Sequence, residues 1–157
     1  MCGRYVRKTG AQEIAQAFSA IDGGKHLALN FNISPTSDVF VLRANDGVLR
    51  LDVMSWGLVP VWAKDVSRAA SLINARSESV AEKPSFRNLI SRHRCVMPMN
   101  AYYEWKPMKA AGKAMKQPFA FFLARILATT MSRILRLLLC GQRGEMVMVK
   151  NSTHVLL

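Results

Sequence analysis

Residue 2 of this chain is a cysteine directly behind an initiator methionine, and removal of Met1 leaves an α-amine and a thiol on neighbouring carbons of Cys2. Together they make a 1,2-aminothiol. Both groups titrate not far above neutral pH, so a fraction of each is nucleophilic there. The amine condenses with an aldehyde to an imine, and the thiol then closes the ring to a thiazolidine. This is covalent nucleophilic chemistry without a cofactor. The other cysteines, Cys95 and Cys140, make no CxxC pair and no zinc spacing, so reduced thiols and no bound metal are expected. His26, His93 and His154 stand in no recognisable nucleophile context, which argues against a serine or cysteine triad.

The chain carries 22 Lys and Arg against 10 Asp and Glu, a formal charge of +12. An excess of this size in 157 residues favours a polyanionic partner, either nucleic acid or an anionic lipid surface. The charge is uneven: residues 105–157 hold nine basic residues and one acidic residue. After Arg4, Arg7 and Lys8, the polar run Thr9, Gly10, Gln12 and Glu13 stands where a secretory signal would turn apolar. No apolar run approaches the roughly 20 residues that span a bilayer. A cytoplasmic protein is expected, associated with the nucleoid if the cell is bacterial, without a membrane partner and monomeric.

Several elements must position the reactive terminus. Thr9 and Gln12 have the spacing of a capping box before Ile14, Ala17, Phe18 and Ile21, which predicts a helix over 10–21. Residues 39–42 and 48–53 flank Asn45-Asp46-Gly47 and read as a hairpin. Ser77 can cap a short helix that Pro84 restarts, with Phe86, Leu89 and Ile90 on its apolar face. Residues 94–97 and 101–105 read as a second pair of strands. Lys106–Lys116 reads as a polar loop before a strand from Pro118. From Leu123 the sequence turns Leu/Arg-rich. Leu123, Ile126, Leu127, Met131, Ile134, Leu135 and Leu138 share one helical face, predicting an amphipathic helix packed on the same domain.

Five segments occur in order: Met1-Cys2-Gly3-Arg4-Tyr5, Asn32-Ile33-Ser34-Pro35-Thr36, Trp56 to Lys64, Ile73 to Glu78, and Tyr103-Glu104-Trp105-Lys106. In these the chain resembles the SOS response-associated peptidase family of abasic-site-processing proteins, over Cys2 to about Phe122. The resemblance implies an α+β fold, a single domain around antiparallel β-strands with flanking helices. It divides the chain into a family-like domain over 1–122 and a divergent basic tail over 123–157. It further implies autoproteolytic removal of Met1 and a thiazolidine between Cys2 and the ring-opened sugar of an abasic site in single-stranded DNA.

Carried over motif by motif, Cys2 is the nucleophile, Asn74 holds the amino terminus or the sugar, and Glu104 is the general acid–base in imine formation, in a cleft flanked by Tyr103 and Trp105. Arg4 and Arg76 lie in the same motifs and are assigned to phosphates. Trp62 and Trp105 are assigned to stacking on unpaired bases, which is worth about 1–3 kcal/mol per base. The family's His-Asp-Arg-Met-Pro-like motif is absent from this chain. His154 stands at about the right spacing, fifty positions after Glu104, with neighbours that do not match. Two further readings follow from that altered ending: a DNA-binding remnant without catalysis, and a basic membrane-associating protein built on the tail.

Overall fold

The computed structural model describes residues 3–60, 62–63, 72–91, 93–110, 112–122, 134–140 and 145–150. Within them β1 (Arg4–Arg7) leads into α1 (Ala11–Phe18) and a short β2 (Ile21–Asp22). β3 (Asn30–Ile33), β4 (Asp38–Asn45) and β5 (Val48–Trp56) follow, then β6 (Asn74–Arg76), β7 (Arg94–Met99), β8 (Ala101–Ala110) and β9 (Lys113–Phe121). β10 (Ile134–Cys140) and β11 (Glu145–Lys150) complete the order. The result is the expected α+β domain of mostly antiparallel strands, with a single helix among the described residues.

The strands form two sheets. The smaller has the order β3-β1-β8-β9 and the larger β2-β5-β4-β7-β10-β11-β6. β11 also pairs in parallel with β5, at Glu145 with Ser55 and Met146 with Trp56. The larger sheet therefore curls back on itself. β4 shows why: Val39 to Leu42 are all buried, so this strand reads as a continuous apolar run because both of its faces are covered. Val39 and Val41 pack with Tyr5, Trp56, Met97 and Tyr102 between the sheets. Phe40 and Leu42 pack on the other side with Ala11, Ile14 and Ala15 of α1. A third cluster joins Leu58, Ala75, Val80, Phe86 and Leu89.

Arg7 is 4% exposed. Its Nη2 donates to the Ala28 carbonyl at 2.6 Å, and its guanidinium lies 4.9 Å from the Phe40 ring centre. Burial lowers its pKa, and the neighbouring Tyr5 works against that shift. This cation belongs to the interior, not to a polyanion-binding surface.

Several sequence expectations are corrected. Thr9 does not cap α1: Gly10 is the N-cap without a side-chain bond. The Thr9 hydroxyl is instead engaged with Asn100, whose Nδ2 donates to it at 2.9 Å. α1 ends at Phe18, with Ser19 in the left-handed region, and Ile21 joins β2. Residues 77–91 form successive turns, not regular helix, although Phe86 and Leu89 are buried as the pattern predicts. β7 and β8 do not pair with each other, because the chain leaves one sheet at Met99 and enters the other at Ala101. Lys106–Lys116 is not a loop but the distal half of a β8–β9 hairpin. Residues 134–140 of the expected tail helix form β10, hydrogen-bonded antiparallel to β7 from Ile134–Met99 to Leu139–Arg94. Residues 123–133 of that helix lie outside the described residues. Cys95 is disulfide-bonded, where reduced thiols were expected.

The β4–β5 hairpin closes between Asn45 and Val48. Asp46 and Gly47 both take positive φ, 49° and 77°, the type I′ geometry that favours Asp-Gly. A Cβ at residue 47 would meet nothing within 4 Å, so Gly47→Ala isolates backbone strain from steric conflict. It is expected to cost about 1–2 kcal/mol, read as a lowered urea midpoint at unchanged slope. An unchanged midpoint would mean that the turn relaxes.

Candidate functional site

β1 and β8 define one side of the site. Arg4, Tyr5 and Val6 stand opposite Tyr103, Tyr102 and Ala101. Glu104 follows Tyr103, the partner of Arg4, on β8. That residue is half-buried and lies opposite Phe119 of β9. Cys2 lies outside the described residues, as does His154.

Side chains alternate along a strand, so Glu104 shares a face with Tyr102, which is buried in the core between the sheets. Tyr103 and Trp105 project from the other face, with ring centres 6.5 Å apart. The expectation that these two rings flank the carboxylate is therefore corrected: residues adjacent in a strand cannot share a face. The ring beside Glu104 comes from the neighbouring strand and belongs to Phe119.

Arg4 stands directly opposite Tyr103 and shares that residue's face. Its Nη1 donates to Asn32 Oδ1 at 3.0 Å, and the Tyr103 hydroxyl donates to the Phe31 carbonyl at 3.0 Å. Arg4, Tyr103 and Trp105 thus make one patch, on the side of the small sheet away from Glu104.

Asn74 opens β6, half-buried, at the register of Met148 on β11. A chain of contacts ties it to β8. The Trp56 indole donates to the Ile73 carbonyl at 3.1 Å, and the Trp56 ring meets Tyr5 edge-on at 5.9 Å. Tyr5 in turn stands opposite Tyr102. Ile73, Trp56, Tyr5 and Tyr102 all belong to the cluster between the sheets. Asn74 and Glu104, each one or two residues from a member, therefore sit at its edge on different sheets. Gly57, with φ 144°, lets the chain turn immediately after Trp56.

Arg76 follows Asn74 by two residues on β6 and is exposed. Trp62 is 63% exposed and Trp105 36%, so the core is not where either tryptophan is used. Trp56 is the one that is fully buried. Sequence reasoning did not single out Tyr5, Trp56 or Phe119. The signal for Phe119 was Gly112: it takes φ 75° just before Lys113, the partner of Ala110, and from that closure the register leads from 104 to 119. Among the described residues there is no group of three His, Cys, Asp or Glu that would hold a metal. No helix among them is long and apolar enough to cross a membrane.

The profile of the SOS response-associated peptidase family matches residues 1–138, beyond the 122 residues over which the motifs were read. The abasic site processing protein YoqW of Bacillus subtilis is 34% identical over 110 residues, 68% of this chain and 48% of that protein. The abasic site processing protein YedK of Escherichia coli is 30% identical over 130 residues, 79% of this chain and 54% of that protein. The chain thus spans about half the length of these curated relatives. Among solved structures, a phage-related protein of Bordetella bronchiseptica superposes with a TM-score of 0.70 at 22% identity, covering 96% of this chain and 69% of that one. A protein of Bacteroides thetaiotaomicron does so with a TM-score of 0.71 at 20% identity, covering 94% and 66%.

Proposed function

The chain belongs to the SOS response-associated peptidase family, and on that premise we propose that it captures abasic sites in single-stranded DNA through the amino terminus of Cys2. Self-cleavage removes Met1 and frees the α-amine. The amine nitrogen adds to the aldehyde carbon of the ring-opened sugar to give a carbinolamine. Glu104 donates the proton with which the hydroxyl leaves as water, forming the imine. The thiolate of Cys2 then adds to the imine carbon while the nitrogen takes up a proton, closing the thiazolidine. Asn74 holds the terminus or the sugar. Arg4 and Arg76 take phosphates, and Trp62 and Trp105 stack on bases.

The observation that carries this reading is the β1–β8 register, which sets Arg4, at the start of β1, opposite Tyr103, the neighbour of Glu104 on β8. The contacts from Tyr102 through Trp56 to Ile73 support a place for Asn74 beside it. The exposed tryptophans support stacking. The test is a denaturing gel of purified protein incubated with a single-stranded oligonucleotide bearing one abasic site. A heat-stable shifted band is expected with that oligonucleotide and none with its undamaged counterpart.

A second reading has its own observation. The residues after Phe122 carry no His-Asp-Arg-Met-Pro-like motif. On this reading it binds single-stranded DNA without covalent capture, and the same gel would show no shifted band, while a native gel would show a complex that salt dissolves.

A further inference from the structure

The β8–β9 hairpin extends well past Glu104, and beyond that residue it carries Lys106, Lys109, Lys113 and Lys116 with no acid. β9 is the edge of its sheet and is exposed along its whole length. Met108 is 44%, Met115 57% and Phe119 46% exposed. A long edge strand with solvated apolar side chains is the kind of surface that natural proteins reserve for a partner.

The register sorts these side chains into two faces. Glu104 stands opposite Phe119, Lys106 opposite Gln117, Met108 opposite Met115 and Ala110 opposite Lys113. These four rungs alternate with the others and so share one face. Starting from the carboxylate, that face presents an aromatic ring, a cation with an amide, two thioethers and a second cation. Same-face rungs are about 7 Å apart, so the ladder runs roughly 20 Å. A hollow of about 600 Å³ touches the Met108–Met115 rung of this face, and Pro107, Lys109, Ala114 and Lys116 of the other face line the rest of it, so charge and register, not the hollow, choose the face.

We infer that this face of the hairpin is the track for the single strand flanking the lesion, with bases on Phe119 and the Met108–Met115 pair and phosphates on Lys106 and Lys113. The inference rests on the reading of Glu104 as the lesion end of the site. Charge selects the occupant. Apolar positions between cations at strand spacing match bases between phosphates, whereas a second copy of this chain would bring the same four lysines against these four, and like charges facing each other across strands repel.

The test compares two variants of equal net charge on the full chain, Lys106→Gln/Lys113→Gln on this face and Lys109→Gln/Lys116→Gln on the other. Binding of an undamaged 20-nucleotide oligothymidylate is measured by fluorescence anisotropy from 50 to 300 mM salt. The first pair is expected to weaken binding roughly tenfold at the low end and to make the log–log salt slope shallower by about 1.4, at 0.7 per lost phosphate contact. The second pair is expected to shift the slope by less than half of that. Equal effects of the two pairs, or none from either, would overturn the track while leaving the abasic-site reading intact. A parent protein that neither binds oligothymidylate nor crosslinks to an abasic site would overturn both. Sedimentation showing a dimer that Met115→Glu dissolves would give the hairpin to a second copy instead.

Discussion

Cys2→Ala abolishes covalent capture of abasic DNA in the expected result, and so does any residue left ahead of Cys2. The two variants remove different things. Alanine keeps the amine and loses the thiol, so the chemistry stops at an imine, which reverts in water. An additional residue keeps the thiol but turns the amine into an amide, whose nitrogen has no lone pair to offer an aldehyde. Both should therefore lose the heat-stable band, while trapping with borohydride should restore a link at the residue 2 nitrogen in the alanine variant by reducing its imine, and none at that nitrogen in the extended one. The assay is the denaturing gel with and without borohydride, on proteins whose amino termini have been verified by mass. A tagged, uncleaved protein that crosslinks at full yield would remove the terminal amine from the mechanism.

Glu104→Gln is the second large effect. The substitution keeps the size of the side chain and its place opposite Phe119 but leaves no proton to give as the carbinolamine loses water. General acid–base groups contribute about 10²–10⁴-fold, and a loss within that range is expected in the rate of crosslink formation. Affinity for undamaged single strands should change little, because the groups assigned to phosphates and bases, Arg4, Arg76, Trp62, Trp105 and those of the hairpin track, are all left in place. The split between rate and affinity is the informative part. A merely structural role for Glu104 would lower both together or would appear as a reduced melting temperature. Equal crosslinking rates for variant and parent at neutral pH would reassign the carboxylate.

How much of this was legible in the sequence depended on whether local patterns decide the structure. The β4–β5 hairpin was legible because Asp46-Gly47 favours one turn type and the strands on either side are rich in β-formers. The apolar positions Phe86 and Leu89 were legible too, since burial follows side-chain chemistry even where the backbone makes turns instead of helix. The capping of α1 was misread because the Thr9 hydroxyl is engaged with Asn100, ninety-one residues away, and such a competitor is invisible to a window of four. The tail was misread for a related reason. Ile134, Leu135 and Leu138 satisfy a helical period, but β7 offers an open edge along Arg94–Met99, and residues Ile134 to Leu139 pair with it one for one. Tertiary pairing overrode the periodicity.

The candidate site divides in the same way. Residue type alone pointed to Cys2, and the family resemblance, carried over motif by motif, pointed to Asn74 and Glu104. Which face each side chain takes was a matter of register, so the placing of Tyr103 and Trp105 around Glu104 did not survive the alternation of the strand. The partner of Glu104 across the sheet became visible only with the β8–β9 pairing, because a segment read as a loop has no register to extend.

The central claim is that the bond to DNA is made at residue 2, and mass spectrometry of the isolated crosslink tests it most directly. After proteolysis and nuclease treatment, the account predicts that the sugar remnant resides on the peptide beginning at Cys2, with the initiator methionine gone and the cysteine unavailable to alkylation because its sulfur is held in the thiazolidine ring. A remnant on a lysine, or on a peptide that still begins with Met1, would contradict it.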